Sequence, residues 1–247
     1  MKKIASRQNP EIKEVAKLKL QKERKNQKKF LAEGLRVCKT LIDTGATLFH
    51  LYVTESSIQK TTDMFPADKI TIVSDIVMKK IAPTVSPSGI LGVFEIPQEP
   101  DTSKLGPGLV LANVSNPGNM GTLIRSCTAM GFKSVVTIEG TDPWGPKVIQ
   151  ASAGEIAKVS LFSWSWEKLQ QEHGTLPLVA LVVEDGKKPQ ELDLKHSLLV
   201  VGSEAHGIPQ SWIDDCQEKL TIEMPGKTES LNAAVAGSIA LYLAGTQ

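Results

Sequence analysis

The chain has 247 residues, 41% of them hydrophobic and 22% charged, so it can bury one core or two and has the composition of a globular protein. No apolar run approaches the roughly 20 residues of a membrane helix, and the start, MKKIASRQNP, has no apolar stretch behind its lysines, which argues against a secretory signal. The net charge of +1 hides an asymmetry. The first forty residues hold 13 Lys and Arg against 4 Glu, and the remainder holds 15 against 23 acids, so a polyanion partner is expected at the basic end.

Taken in order, Ile12, Val15, Ala16, Leu18 and Leu20 recur at helical spacing, and Glu11 to Lys29 reads as one helix. Its end, KERKNQKK, is polar throughout. A solvated helix end is the plain reading. The sharper one makes Lys22, Arg24, Lys25, Lys28 and Lys29 phosphate contacts, since Lys and Arg release counterions from RNA. Aromatic residues are sparse in this strip, so base stacking is not implied. Phe30-Leu31-Ala32-Glu33-Gly34 then leads into a helix around Leu35 to Ile42. Leu48 to Val53, Ile70 to Val73 and Ile90 to Ile96 read as strands, and Asp75 to Ile81 as a helix capped by Ser74. The alternation predicts a small α/β domain over residues 1–97. The Pro- and Gly-rich stretch that follows reads as a linker, residues 98–108.

In the second half, residues 109–247, Leu109 to Val114 is a strand and Thr122 to Met130 a helix with Leu123, Ile124, Cys127 and Met130 inward. Val135 to Ile138 is another strand, Gly140 to Gly145 a loop holding Trp144, and Lys147 to Lys158 and Trp166 to Gln171 are helices. Leu178 to Val183, Leu198 to Val201 and Leu220 to Met224 are short apolar runs suited to a parallel sheet covered on both faces. Pro225-Gly226 ends the last of them. A polar loop, Lys227 to Glu229, precedes a helix opened by Ser230-Leu231-Asn232, with Ser230 as its expected cap. That helix is apolar nearly all round to Leu243 and needs cover on more than one side.

Cys38, Cys127 and Cys216 show no metal-ligand spacing and form no cluster with His50, His173, His196 or His206, so no metal is expected. The thiols read as small buried hydrophobes of a reduced, cytoplasmic protein, in preference to a nucleophile. A dinucleotide-binding reading has some support. Gly118-Asn119-Met120-Gly121 follows a strand and opens a helix, and Glu139 lies where a ribose-binding acid would stand, but the full Gly-x-Gly-x-x-Gly pattern is missing.

Three stretches stand out together: Asn116-Pro117-Gly118-Asn119-Met120-Gly121 with Arg125, Gly202-Ser203-Glu204-Ala205-His206-Gly207, and Ile222-Glu223-Met224 with Ser230-Leu231-Asn232. In this order they resemble the motifs of the SPOUT methyltransferases, and within them the SpoU/TrmH family of RNA ribose 2′-O-methyltransferases. One departure is visible: Asn116 stands where an acid is usual, which keeps a turn-forming side chain and loses the charge. The first half resembles, more loosely, the substrate-binding domain of many SpoU-type enzymes, itself similar to a ribosomal-protein RNA-binding fold. The basic helix and the Phe30–Gly34 segment carry that likeness.

The resemblance implies a deep trefoil knot at the C-terminal end and S-adenosyl-L-methionine held bent by its loops. It implies methyl transfer to a ribose 2′-hydroxyl of RNA, without metal. Arg125 would clamp the neighbouring phosphate and orient the hydroxyl. Asn119 would bind ribose or hold its loop, and Glu204 would orient Arg125 or bind ribose. Ser230 and Asn232 would fix cofactor loop and substrate. Gly202, Ile222, Met224 and Leu231 would hold the cofactor, and His206 reads as an uncommitted loop residue. The added N-terminal domain favours ribosomal over transfer RNA, and the family implies a homodimer with two sites at a two-fold interface, Arg125 serving a site built largely by the partner. A tRNA enzyme, a non-catalytic RNA-binding protein and an NAD oxidoreductase are the competing readings.

Overall fold

Apolar runs of strand length in the two halves of the chain build two separate sheets. The computed structural model describes every residue except Lys227 and Thr228, so part of the polar loop expected over Lys227 to Glu229 lies outside the described residues. The chain divides into one unit of residues 1–98 with 144–157 and another of residues 99–143 with 158–247.

The first unit runs β1 (Lys2–Ile4), α1 (Pro10–Lys17), α2 (Gln21–Gln27), β2 (Lys29–Glu33), α3 (Leu35–Asp43), β3 (Leu48–Thr54), β4 (Ile70–Val73), α4 (Asp75–Ile81) and β5 (Ile90–Glu95). The single helix expected over Glu11 to Lys29 is two. Asn9 caps α1 by accepting from the Glu11 amide at 2.9 Å. After Lys17 the chain turns, and Arg24 reaches back to donate to the carbonyls of Leu18 at 2.9 Å and Lys19 at 2.8 Å. Leu18 is the C-cap of α1 and Lys19 the residue beyond it, so Arg24 ties down the turn that ends the helix. Helix α2 stops at Lys28, left-handed at φ 50°, and strand β2 begins. Periodicity could not register that break, because the buried Leu18 and the 63% exposed Leu20 both fit the apolar pattern. The sheet order is β1-β4-β3-β5-β2. Strands β1 and β3 flank β4 in parallel, and β5 runs antiparallel to β3 and β2. One face buries Ile12, Leu31, Tyr52, Met78 and Leu91. On the other, Phe30 stacks on Phe94 with centroids 5.7 Å apart.

The chain continues through β6 (Gly108–Ala112), α5 (Pro117–Ala129), β7 (Ser134–Ile138), α6 (Pro146–Ala151), β8 (Ser160–Trp164), α7 (Trp166–Glu172), β9 (Leu178–Val182), β10 (Leu198–Val201), α8 (Gln210–Asp215), β11 (Glu218–Thr221) and α9 (Ala233–Gly245). Helix α6 belongs to the first unit, although its sequence lies in the second half. Trp144 packs on Phe30 with centroids 4.9 Å apart, and a side chain at Gly154 would meet the Val37 carbonyl oxygen at 2.9 Å. The stretch expected to be a linker is anchored within the second unit: Glu99 accepts from the Ser163 amide, Trp164 Nε1 and Lys168 Nζ at 2.9–3.3 Å.

The second sheet has six strands in the order β11-β9-β10-β6-β7-β8, all parallel. Its three central strands, β10, β6 and β7, are wholly buried, as a sheet covered on both faces requires. The order separates two of the sequence readings. A dinucleotide-binding sheet places its fourth strand beside its first. Here the fifth strand of the sheet, β10, takes that place and the fourth, β9, lies beyond it. The NAD reading therefore falls with the topology. Among the described residues no helix is long and apolar enough to cross a membrane.

Candidate active site

The first motif follows strand β6. Asn116 is the N-cap of α5, its Oδ1 accepting from the amides of Gly118 at 2.8 Å and Asn119 at 3.2 Å, with Pro117 at the first helical position. An aspartate would cap in the same way, so the missing acid leaves the local fold intact. Helix α5 buries Met120, Leu123, Ile124 and Cys127 and keeps Asn119 and Arg125 on its open side.

The third motif opens α9. Its cap is Asn232 and not Ser230: Asn232 Oδ1 accepts from the amides of Ala234 at 2.9 Å and Val235 at 3.3 Å. The helix starts only at Ala233, which puts Ser230 in the loop before it. Helices α5 and α9 pack closely. A Cβ at Gly237 would lie 2.4 Å from Leu123 Cδ2, and Ser126 and Ser238 join hydroxyls at 2.8 Å. That packing brings together two asparagines 113 residues apart, Asn232 Nδ2 donating to Asn119 Oδ1 at 3.3 Å.

Glu204, from the second motif, completes the arrangement. Its Oε1 accepts from Asn119 Nδ2 at 2.7 Å and from the Asn116 amide at 3.3 Å, while Oε2 takes the Ser115 amide at 3.3 Å and hydroxyl at 3.1 Å. Partial burial pushes the Glu204 carboxyl up, but the bonds from Asn119 and Ser115 outweigh it and hold the group below the usual carboxylate range. It is therefore a fixed anion at neutral pH. The anion fixes the orientation of the Asn119 amide, whose oxygen then faces Asn232. Asn232 spends its own oxygen on the helix cap and turns its nitrogen to Asn119. Ser115 was invisible in the sequence as a site residue, since a lone serine before a cap carries no signal of its own.

Beside this relay lies a cleft of about 380 Å³, lined among others by Gly202, Ile222, Met224, Ser230 and Leu231. Glu204 stands at it, and Leu181 and Leu220 contribute further apolar wall. A Cβ at Gly202 would fall 2.3 Å from the Gly207 carbonyl carbon, and Ser203 and Gly207 exchange backbone bonds at 3.0 Å, so the second motif is a tight loop that only glycine closes. The cleft has the size and mixed lining of a small-molecule site. Its apolar walls suit an adenine ring, and its loop backbones and Ser230 suit polar groups, so the residues present fit S-adenosyl-L-methionine. The exposed His206 also lines the cleft, its amide bonded to Ser203 Oγ at 3.2 Å.

Arg125 lies on the exposed side of α5, two turns beyond Asn119, and has no side-chain bond among the described residues. Glu204, expected either to orient Arg125 or to bind ribose, is occupied by Ser115, Asn116 and Asn119, so it does not orient the arginine within one protomer. Of the basic strip, Lys22, Lys25 and Lys28 are exposed and Lys29 is half-buried, whereas Arg24 is 4% exposed and caps α1. Arg24 therefore leaves the set of expected RNA contacts. Burial pushes the thiols of Cys38, Cys127 and Cys216 up to about 12, which keeps them protonated. Among the described residues no three of His, Cys, Asp and Glu stand where they could hold a metal ion.

Strand order and cleft make the second unit a parallel α/β domain with a small-molecule site at its motif loops. A crystal structure of an S-adenosylmethionine-bound rRNA methyltransferase from Sinorhizobium meliloti superposes on the chain with a TM-score of 0.86, at 24% identity, covering 98% of this chain and 97% of that one. The SpoU rRNA Methylase family matches residues 107–242, and the MRM3-like substrate binding domain matches residues 9–92. An uncharacterised tRNA/rRNA methyltransferase of Synechocystis sp. is 30% identical over 99% of this chain and 93% of its own length. The 23S rRNA (guanosine(2553)-2′-O)-methyltransferase RlmP of Bacillus subtilis is 27% identical over 98% of both chains. The chain belongs to the SpoU rRNA methylase family.

Proposed function

We propose that this chain is an S-adenosyl-L-methionine-dependent RNA 2′-O-methyltransferase that acts on ribosomal RNA as a homodimer. The observation that carries the reading is the relay Glu204–Asn119–Asn232 at the edge of the cleft: three motifs distant in sequence converge there with their amides oriented by one fixed carboxylate. The cofactor, when bound, supplies an electrophilic methyl group. Gly202, Ile222, Met224, Ser230 and Leu231 would hold it. Arg125 clamps the phosphate beside the target ribose and favours loss of the hydroxyl proton, since a guanidinium fork matches phosphate oxygens and stabilises developing negative charge. Asn119 and Asn232 set the ribose position, and Glu204 keeps their amides from rotating.

Ribosomal RNA is the preferred substrate because the Bacillus relative acts on 23S rRNA and the first unit matches a substrate-binding domain. Dimerisation is supported by α9, which leaves Val235 47% and Tyr242 58% exposed beside an open groove lined also by Thr122, Asn232, Ser238 and Ile239. In the dimer Arg125 of one protomer serves a site built largely by the other. We assign the family's trefoil knot to the C-terminal path as part of this reading.

The test is transfer of labelled methyl from S-adenosyl-L-methionine to ribosomal RNA taken from a strain lacking the gene, followed by nucleoside analysis. A 2′-O-methylated nucleoside at one site is the expected product. Methylation of a base, or no incorporation into any RNA, contradicts the reading.

A further inference from the structure

Phe49 is exposed where an aromatic ring gains nothing from burial. Strand β3 pairs with β5 through Leu48 opposite Phe94 and His50 opposite Val93, so Phe49 is the extra residue of a β-bulge. Bulges re-aim side chains and occur beside functional sites. Phe49 is 47% exposed, and Lys29 Nζ sits 3.1 Å from its ring centroid. Lys29 lies directly opposite Glu95 across the β2–β5 pair. Among the described residues its ammonium forms no ion pair with that carboxylate and rests on the ring.

The surroundings are basic. Lys25 and Lys28 are exposed on the last turn and C-cap of α2, immediately before Lys29. On the other side Lys69 Nζ donates to the carbonyl of Leu48, the residue before Phe49, at 2.5 Å. The fold thus places an exposed aromatic ring in the basic strip that lacks one in sequence.

We propose that Phe49 is a stacking platform for one unpaired nucleobase of the RNA substrate, with Lys25 and Lys28 holding the flanking phosphates. The inference rests on the RNA-methylating reading above. Every base has a π-face, so a ring without a polar handle, next to lysines, takes single-stranded RNA without demanding a sequence. Lys29 rests on one face of the ring by a cation–π contact, which leaves the other face for a base. A rigid duplex keeps its bases stacked inside and offers this site only phosphates.

The experiment uses the full chain with a mixed-sequence single-stranded RNA oligonucleotide carrying 2-aminopurine, and the same strand annealed to its complement. Phe49→Ala should weaken single-strand binding about tenfold, the scale of one lost stacking contact, and leave the salt slope unchanged because no charge is removed. Duplex affinity should move less than about twofold, and S-adenosyl-L-methionine affinity should not move. Phe49→Trp should keep the affinity, and its added fluorescence should be quenched on binding. Lys25→Gln with Lys28→Gln should lower the salt slope by about 1.4, from about 0.7 per phosphate contact on a single strand. Equal losses for single strand and duplex, or single-strand affinity unchanged in Phe49→Ala, overturn the platform. If the wild-type chain methylates ribosomal RNA and Phe49→Ala binds as well as wild type, only the platform fails. If the wild-type chain binds no RNA, the parent reading fails with it.

Discussion

The cleft of the second unit and the basic face of the first are written into the chain in opposite ways. The cleft is assembled from residues far apart in sequence, yet each piece carries a short motif, because a tight loop or a helix cap admits few residue types. Gly202 has no room for a side chain, and Asn232 must cap a helix with one end and meet Asn119 with the other. The basic face comes from one continuous run, Lys22 to Lys29, and folding scatters it. Arg24 turns inward to finish α1, Lys29 leans on Phe49, and Lys22, Lys25 and Lys28 stay exposed. Geometry-bound residues therefore announce their place, while a run of like charges announces composition alone.

The widest gap between the two regions should appear with Arg125→Ala. Methyl transfer should fall by about 10²–10³, the scale of removing one donor to developing charge, with cofactor affinity unchanged in calorimetric titration, since Arg125 does not line the cleft. A large loss of cofactor affinity would place the arginine in the wrong half of the site. Because Arg125 is expected to act across the dimer, mixing Arg125→Ala with Asn232→Ala protomers should restore part of the activity through hybrids with one intact site. Hybrids that co-purify and stay inactive would break the cross-subunit role.

Gly202→Ala acts on the cleft itself. A Cβ 2.3 Å from the Gly207 carbonyl carbon forces the loop open, and S-adenosyl-L-methionine affinity should drop about thirtyfold, roughly 2 kcal/mol. RNA affinity should hold. Asn232→Ala should cost about 1 kcal/mol of stability in chemical denaturation through the lost cap and should also lower transfer. Asn232→Asp keeps the cap and loses the donor to Asn119, so it should recover the stability without the activity.

Much of this was legible beforehand. The parallel sheet and the central strands of the first unit followed from apolar run length and turn residues, and the three motifs from their likeness to a known family. What stayed hidden depended on packing between distant parts. Strand β1 is three residues long and gains its order from β4, and β8 mixes serine with aromatic residues. Helix α6 and Trp144 read locally as part of the second half and pack in the first unit against β2 and Phe30. The bulge that exposes Phe49 is a property of strand register, which no single strand's sequence contains. Serine is a good cap, so the sequence favours Ser230, but the helix begins two residues too late for it.

Acid should reveal the Glu204 anchor with a smaller effect. Its folded carboxyl lies below its unfolded value, so its contribution to stability is complete above the unfolded value and is lost as pH falls through the lower folded one. The stability difference between wild type and Glu204→Gln should stay constant from neutral pH down to the usual carboxylate range near pH 4.3 and close only at more acidic pH. A gap that already closes near pH 6 would contradict the ionised relay.

The division of labour between the regions is tested most directly by one crossed titration. The triple variant Lys22→Gln, Lys25→Gln, Lys28→Gln and the single variant Gly202→Ala are each titrated with S-adenosyl-L-methionine and, across a range of salt, with RNA. The lysine variant should bind cofactor as wild type does and lose about 2 from its RNA salt slope, at about 0.7 per contact. Gly202→Ala should lose cofactor affinity and keep the slope. If the lysine variant keeps the wild-type slope, or Gly202→Ala changes it, the assignment of RNA to the basic face and cofactor to the cleft is wrong.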